Sequence, residues 1–67
     1  MSDKQTERLI RMHEVLERTG LKRSTLFNLM QRGLFPKSIS PTGVRMSVWV
    51  ESEVEHWIEE QIAGARR

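Results

Sequence analysis

The residue types best placed to do chemistry are Arg23, Ser24, Thr25 and Asn28, which crowd one short polar-faced segment. Their chemistry is recognition, not bond-making. A carboxamide can pair with N6 and N7 of adenine, and a guanidinium with O6 and N7 of guanine. Hydroxyls at a helix N-terminus suit phosphate oxygens, because unpaired N–H groups and the helix dipole favour an anion there. Asn28 is therefore the candidate base reader, and Arg23 either reads guanine or holds a phosphate. Ser24 and Thr25 complete a face aimed at a major groove. Lys22, Arg32, Lys37 and Arg45 are candidates for contacts to the nucleic-acid backbone, with Lys37 and Arg45 also placed to probe the adjacent minor groove. Gln31 shares the face but reads as solvated. Phe27, at its edge, is expected to be partly buried in the core, the alternative being contact with a thymine methyl.

Charge distribution supports this placement. The net charge is only +2, yet Arg18, Lys22, Arg23, Arg32, Lys37 and Arg45 lie in a stretch, Arg18 to Val50, that contains no acidic residue. From Glu51 to Glu60 the sign reverses, with Glu51, Glu53, Glu55, Glu59 and Glu60 and no Lys or Arg among them. Charge alone is equally served by a solvated surface, but a clustered positive face attracts phosphate in a salt-dependent way.

Other chemistry is thin. The 67 residues have no cysteine, which excludes disulfides and thiolate metal ligands. His13 and His56 are isolated; Glu53 and Glu60 neighbour His56 at helical spacing, too few ligands for a metal site. No nucleophile–base pair, acid dyad or phosphate-binding glycine loop appears, and Met12, Met30 and Met46 suit a core better than a cofactor box. No enzyme activity and no cofactor are expected. No apolar run is long enough to span a membrane and no signal-peptide pattern opens the chain, so a cytoplasmic protein without membrane contact is expected.

The elements that must position these residues follow from periodicity. Residues 1–7 are polar and aperiodic, an expected loose tail ahead of one domain over residues 8–67. Leu9 and Ile10 make a short apolar step into a first helix, Met12–Thr19, whose stripe is Met12, Val15, Leu16 and Thr19. Gly20 supplies the left-handed position that ends it, with Leu21 as a hydrophobic contact. A second helix, Arg23–Arg32, buries Leu26, Leu29 and Met30 and stops at Gly33. Two helices on so short a glycine-containing joint make a helix-turn-helix. Pro36 stops helical periodicity; 37–40 reads as a strand, Pro41-Thr42-Gly43 as a turn and Arg45–Val50 as a return strand, together a two-stranded wing. Val48 and Trp49 are adjacent and both apolar, which leaves the strand's inward parity open. Ser52 with Glu55 resembles a capping box for a third helix. Its stripe of Val54, Trp57, Ile58 and Ile62 ends at Gly64, and Trp57 is expected to close the core over the first two helices. The expected fold is mainly α with a small β-hairpin, a winged helix-turn-helix.

With these residues in order the chain resembles the AlpA family of prophage regulators. The likeness rests on Leu9-Ile10-Arg11-Met12, Glu14-Val15, Thr19-Gly20-Leu21, Arg23-Ser24-Thr25-Leu26-Phe27, Gly33-Leu34-Phe35-Pro36-Lys37, and Trp49-Val50-Glu51-Ser52-Glu53-Val54 with Trp57-Ile58. In fold that family resembles phage excisionases and the DNA-binding half of the MerR regulators. Lys22 departs from it, standing where a Ser usually caps the second helix; the cap must fall to Ser24, a water or a phosphate oxygen. Ser47 also departs, replacing a commonly apolar residue of the return strand. The resemblance implies a sequence-specific double-stranded DNA-binding regulator, encoded on a prophage or mobile element, that activates an integrase or excision gene. Its rival is an excisionase that bends attachment-site DNA. A reading of another class is a protein-interaction module that binds a regulator or integrase through the acidic third helix. The expected partners are double-stranded DNA, further copies bound cooperatively on it, and an integrase or RNA polymerase.

Overall fold

The structure is a computed structural model that describes residues 7–66. The expected N-terminal tail therefore lies outside the described residues except for Glu7, as does Arg67. In chain order the elements are β1 (Leu9–Arg11), α1 (Met12–Thr19), α2 (Arg23–Gln31), β2 (Val48–Val50) and α3 (Glu51–Ala65). This is the winged helix-turn-helix expected from the sequence, mainly helical with a small antiparallel β component.

The β component is built differently from the expected hairpin. Leu9–Arg11 is a strand, not a mere step into α1, and it pairs antiparallel with β2 through Leu9–Val50, Ile10–Trp49 and Arg11–Val48. The other edge of β2 meets the wing at one bridge, where Ile39 and Val48 exchange N–H···O bonds of 2.8 and 2.9 Å. Residues 37–40 are otherwise irregular, as are 44–47. Lys37, Ser38 and Ser40 offer no apolar face to bury, whereas Leu9-Ile10 does, so regular pairing forms where it buries Ile10. The parity question dissolves because Val48 and Trp49 are both buried. Trp49 is 1% exposed, and its indole N–H donates to the carbonyl of Pro36 over 3.2 Å. That bond satisfies a polar atom the core would otherwise strand.

Ile10, Val15, Leu26, Phe35, Trp49 and Val54 form the buried centre, with Met12, Leu16, Leu21, Leu29, Met30, Trp57 and Ile58 packed around it. Every element gives at least one residue, so the site is carried by a core shared with the sheet.

α3 corrects four expectations. It begins at Glu51 with Val50 as its N-cap and no side-chain cap. Ser52 sits within the first turn, where its hydroxyl donates to the Glu7 carboxylate at 2.9–3.0 Å, so no capping box forms with Glu55. The chain passes from β2 straight into the helix, and the Glu51 N–H finds the Arg8 carbonyl at 2.8 Å as the pairing with β1 runs out. Gly64 does not end the helix, which continues to Ala65. Trp57 is only half-buried; it packs edge-to-face on Phe35 at 4.7 Å and donates to the Leu34 carbonyl at 2.7 Å. Val54, not Trp57, carries α3 into the common core beside Val15 and Leu26. Ile62 is 46% exposed, beyond the reach of that core.

Candidate nucleic-acid interface

α2 is held by one face. Leu26 is fully buried, and Leu29 and Met30 flank it at half-burial. Helical geometry then points the opposite side outward, and Ser24, Asn28 and Gln31 lie there, with Arg23, Thr25 and Phe27 at its edges, all exposed. Arg23, Ser24, Thr25 and Asn28 are thus brought onto one exposed helix surface, as the spacing predicts.

The joint before α2 is short and firmly made. Gly20 sits at φ 75°, ψ 12°, and its N–H returns to the Leu16 carbonyl at 2.8 Å. Thr19 Oγ1 donates to the Val15 carbonyl at 2.9 Å and accepts the Leu21 N–H at 3.3 Å. Leu21 then packs on the core, so the angle between the helices is fixed by a backbone turn, a hydroxyl and one apolar anchor. Lys22 is the N-cap of α2 and makes no side-chain cap; Ser24 does not take over that role. The Lys22 carbonyl accepts the Leu26 N–H at 2.9 Å, which leaves the first-turn N–H groups without a side-chain acceptor. No acidic residue occupies that turn.

Arg32 caps the other end of α2 and is exposed. Gly33, at φ 72°, turns the chain toward Phe35, whose burial starts the wing from a fixed point. Lys37 precedes the Ile39–Val48 bridge, and Arg45 follows the turn in which the Val44 N–H meets the Pro41 carbonyl at 3.3 Å. Both cations are exposed, on a separate excursion of the chain from α2. Among the described residues, Lys22, Arg23, Arg32, Lys37 and Arg45 form no ion pair.

Arg18 does not belong with them. Its guanidinium lies 2.8 Å from Glu14, 2.6 Å from Glu51 and 2.8 Å from Glu55, and Glu51 also takes Arg8 at 3.1 Å. The hydrogen bond to Glu14, aided by Glu51, raises the Arg18 pKa further above its ordinary value. Arg18 ties α1 to α3 and is neutralised in doing so. The i, i+4 spacing of Glu14 and Arg18 was the legible signal; the partners on α3 were not.

Phe27 is a second correction. It is 46% exposed and stands outside the hydrophobic cluster. His56 reaches Glu60 at 3.1 Å, both well exposed. Among the described residues no group of three or more potential ligands could hold a metal ion, and no helix is long and apolar enough to cross a membrane.

Comparison with known proteins fits this arrangement. The family model of the prophage CP4-57 regulatory protein AlpA matches residues 8–62. This chain belongs to the AlpA family. The match begins beside β1 and ends within the exposed end of α3, so it takes in the helix-turn-helix, the wing and the Arg18 cluster together. A relative from Enterobacteria phage P4, an uncharacterized protein called ORF88, is 41% identical over 61 residues, covering 91% of this chain and 68% of its own length. The DNA-binding transcriptional activator AlpA of Escherichia coli K12 is 25% identical over 67 residues, with 91% of this chain and 94% of that protein covered. No solved structure matches this AlpA-family chain.

Proposed function

We propose that this AlpA-family chain is a sequence-specific double-stranded DNA-binding regulator that activates an integrase or excision gene of a prophage or mobile element. The observation that carries the reading is the set Lys22, Arg23, Arg32, Lys37 and Arg45, exposed and without carboxylate partners among the described residues, around a polar helix face. Asn28 reads a base edge in the major groove. Arg23 reads guanine or holds phosphate, and Ser24 and Thr25, at the uncapped start of α2, take phosphate oxygens. Lys22 and Arg32 bind the backbone at either end of α2, and Lys37 and Arg45 clamp it from the wing. Such a protein works in the bacterial cytoplasm and performs no bond chemistry of its own. The relative named as a DNA-binding transcriptional activator supports activation over the excisionase reading.

One helix and one wing cover little DNA, since a single module buries roughly 600–1,000 Å² of protein. Several copies therefore bind cooperatively to repeated short sites, each contact between copies being weak alone and reinforced by proximity on DNA. A contact with RNA polymerase or an integrase would have available an open depression of about 780 Å³ between residues 33–36 and α3, lined by Trp57, Glu53 and Glu60 among others. Footprinting and gel shifts on a selected natural site test the proposal. Successive shifted bands with protection longer than one module are expected, together with activation of a reporter carrying that site. A single copy in one tight complex on one short site would overturn the cooperative part. Loss of DNA bending as the only phenotype of the Asn28→Ala protein would favour the excisionase.

A further inference from the structure

Of the six large apolar side chains left exposed among the described residues, Phe27 alone lies on α2. Its helical neighbours are Arg23 and Ser24 at i−4 and i−3 and Met30 and Gln31 at i+3 and i+4, of which only Met30 turns toward the core, and Asn28 follows it directly. This ring stands outside the core and keeps nearly half of its surface exposed: Leu26, Leu29 and Met30 supply the buried side of α2, and the one aromatic pairing among the described residues is Phe35 with Trp57. An apolar ring among hydrogen-bonding side chains of a reading face has one apolar counterpart on major-groove base edges, the C5-methyl group of a pyrimidine.

We infer that Phe27 is a specificity-determining residue that packs on a pyrimidine C5-methyl, and so biases the site toward thymine or 5-methylcytosine at one position. This rests on the proposal that α2 enters the major groove. Successive side chains leave a helix about 100° apart, so Phe27 and Asn28 meet neighbouring base pairs rather than the same one. The expected site therefore carries an adenine read by the amide beside a methyl-bearing pyrimidine read by the ring. Cytosine lacks the methyl and leaves the ring against water and a polar amino group, which is discrimination by a missing contact.

The test uses the full chain and a duplex selected from random sequences. Each thymine is replaced singly by deoxyuridine, which removes one methyl and keeps every hydrogen-bonding group. One position should weaken wild-type binding about fourfold, the worth of one buried methyl. The same replacement should leave Phe27→Ala binding unchanged, with Phe27→Leu between. If that position selects cytosine instead, methylating its C5 should tighten wild-type binding by a like factor and leave Phe27→Ala unmoved, which identifies 5-methylcytosine as the source. Penalties equal in wild type and Phe27→Ala, or no methyl effect at any position, overturn the inference. In either case salt-dependent binding of the methyl-free duplex keeps the DNA-reading proposal standing, whereas absence of duplex binding by the wild type removes that proposal itself.

Discussion

The cations of α2 and the wing and the cations beside α3 are the same residue types in opposite circumstances. Arg8 and Arg18 are matched with Glu14, Glu51 and Glu55, and these intramolecular pairs tie α1 and the residue before β1 to α3. Arg23, Arg32 and Arg45 meet no such partner among the described residues and lie on the exposed side. The difference teaches that net charge says little about which cations are free to meet a partner, whereas pairing separates them. A cation already in a carboxylate cluster offers little to phosphate, and one without a partner adds to the field an incoming polyanion meets.

Both regions depend on Trp49, which makes its removal the harshest test. Its backbone pairs with Ile10 on the side of the ion cluster, and its indole N–H holds the Pro36 carbonyl at the base of the wing. Trp49→Ala should cost about 3–5 kcal/mol in chemical denaturation, comparable to the whole stability of a chain this short. Trp57→Ala should cost less, because half-burial leaves less to lose. Equal costs would mean that the core is centred elsewhere than at β2.

Asn28→Ala should come next, and only in the proposed reading region. A loss of about 1–3 kcal/mol is expected on the selected site, with random-sequence affinity and thermal stability nearly intact. Equal losses on both duplexes would reduce Asn28 to a backbone contact.

An exchange of roles then sharpens the comparison directly. Arg45→Met should lower the salt slope of binding by about one and leave the denaturation midpoint in place. Arg18→Met should do the reverse, lowering the midpoint and leaving the slope alone, since Glu14, Glu51 and Glu55 lose their shared counter-charge. Matching phenotypes would erase the distinction between paired and unpaired cations.

The legible part of this structure was local, and the illegible part was long-range. Both helices of the helix-turn-helix and the Gly20 stop followed from a 3.6-residue stripe and one left-handed position, signals that fit within a dozen residues. The exposed set on α2 followed for the same reason, since burying Leu26, Leu29 and Met30 turns its neighbours outward. By contrast, β1 is only Leu-Ile-Arg, too short to show alternation, and its partner lies nearly forty residues away. At the α3 start Ser52 and Glu55 satisfy a local capping rule, whereas in the fold a backbone carbonyl from Arg8 accepts the Glu51 N–H from outside the helix. The partners of Arg18 are illegible for the same reason, since Glu51 and Glu55 reach it only in the fold.

The smallest expected effect lies outside both regions. Gly64 stands inside α3, and an added Cβ would meet nothing within 4 Å. Gly64→Ala should stabilise the protein by up to about 0.5–1 kcal/mol through helix propensity, less if the last turn frays. Affinity for DNA should not change, and a change would mean that the end of α3 takes part in binding.

The proposed reading is that the cations around α2, which have no carboxylate partner among the described residues, meet phosphate. Its most direct test is the affinity of the wild-type chain for one random-sequence duplex across a series of salt concentrations. The logarithm of the binding constant should fall linearly with the logarithm of salt, at about −0.9 for each phosphate contacted, and the slope should shrink as Lys37 and Arg45 are removed. A flat line, or a slope indifferent to those two residues, would contradict it.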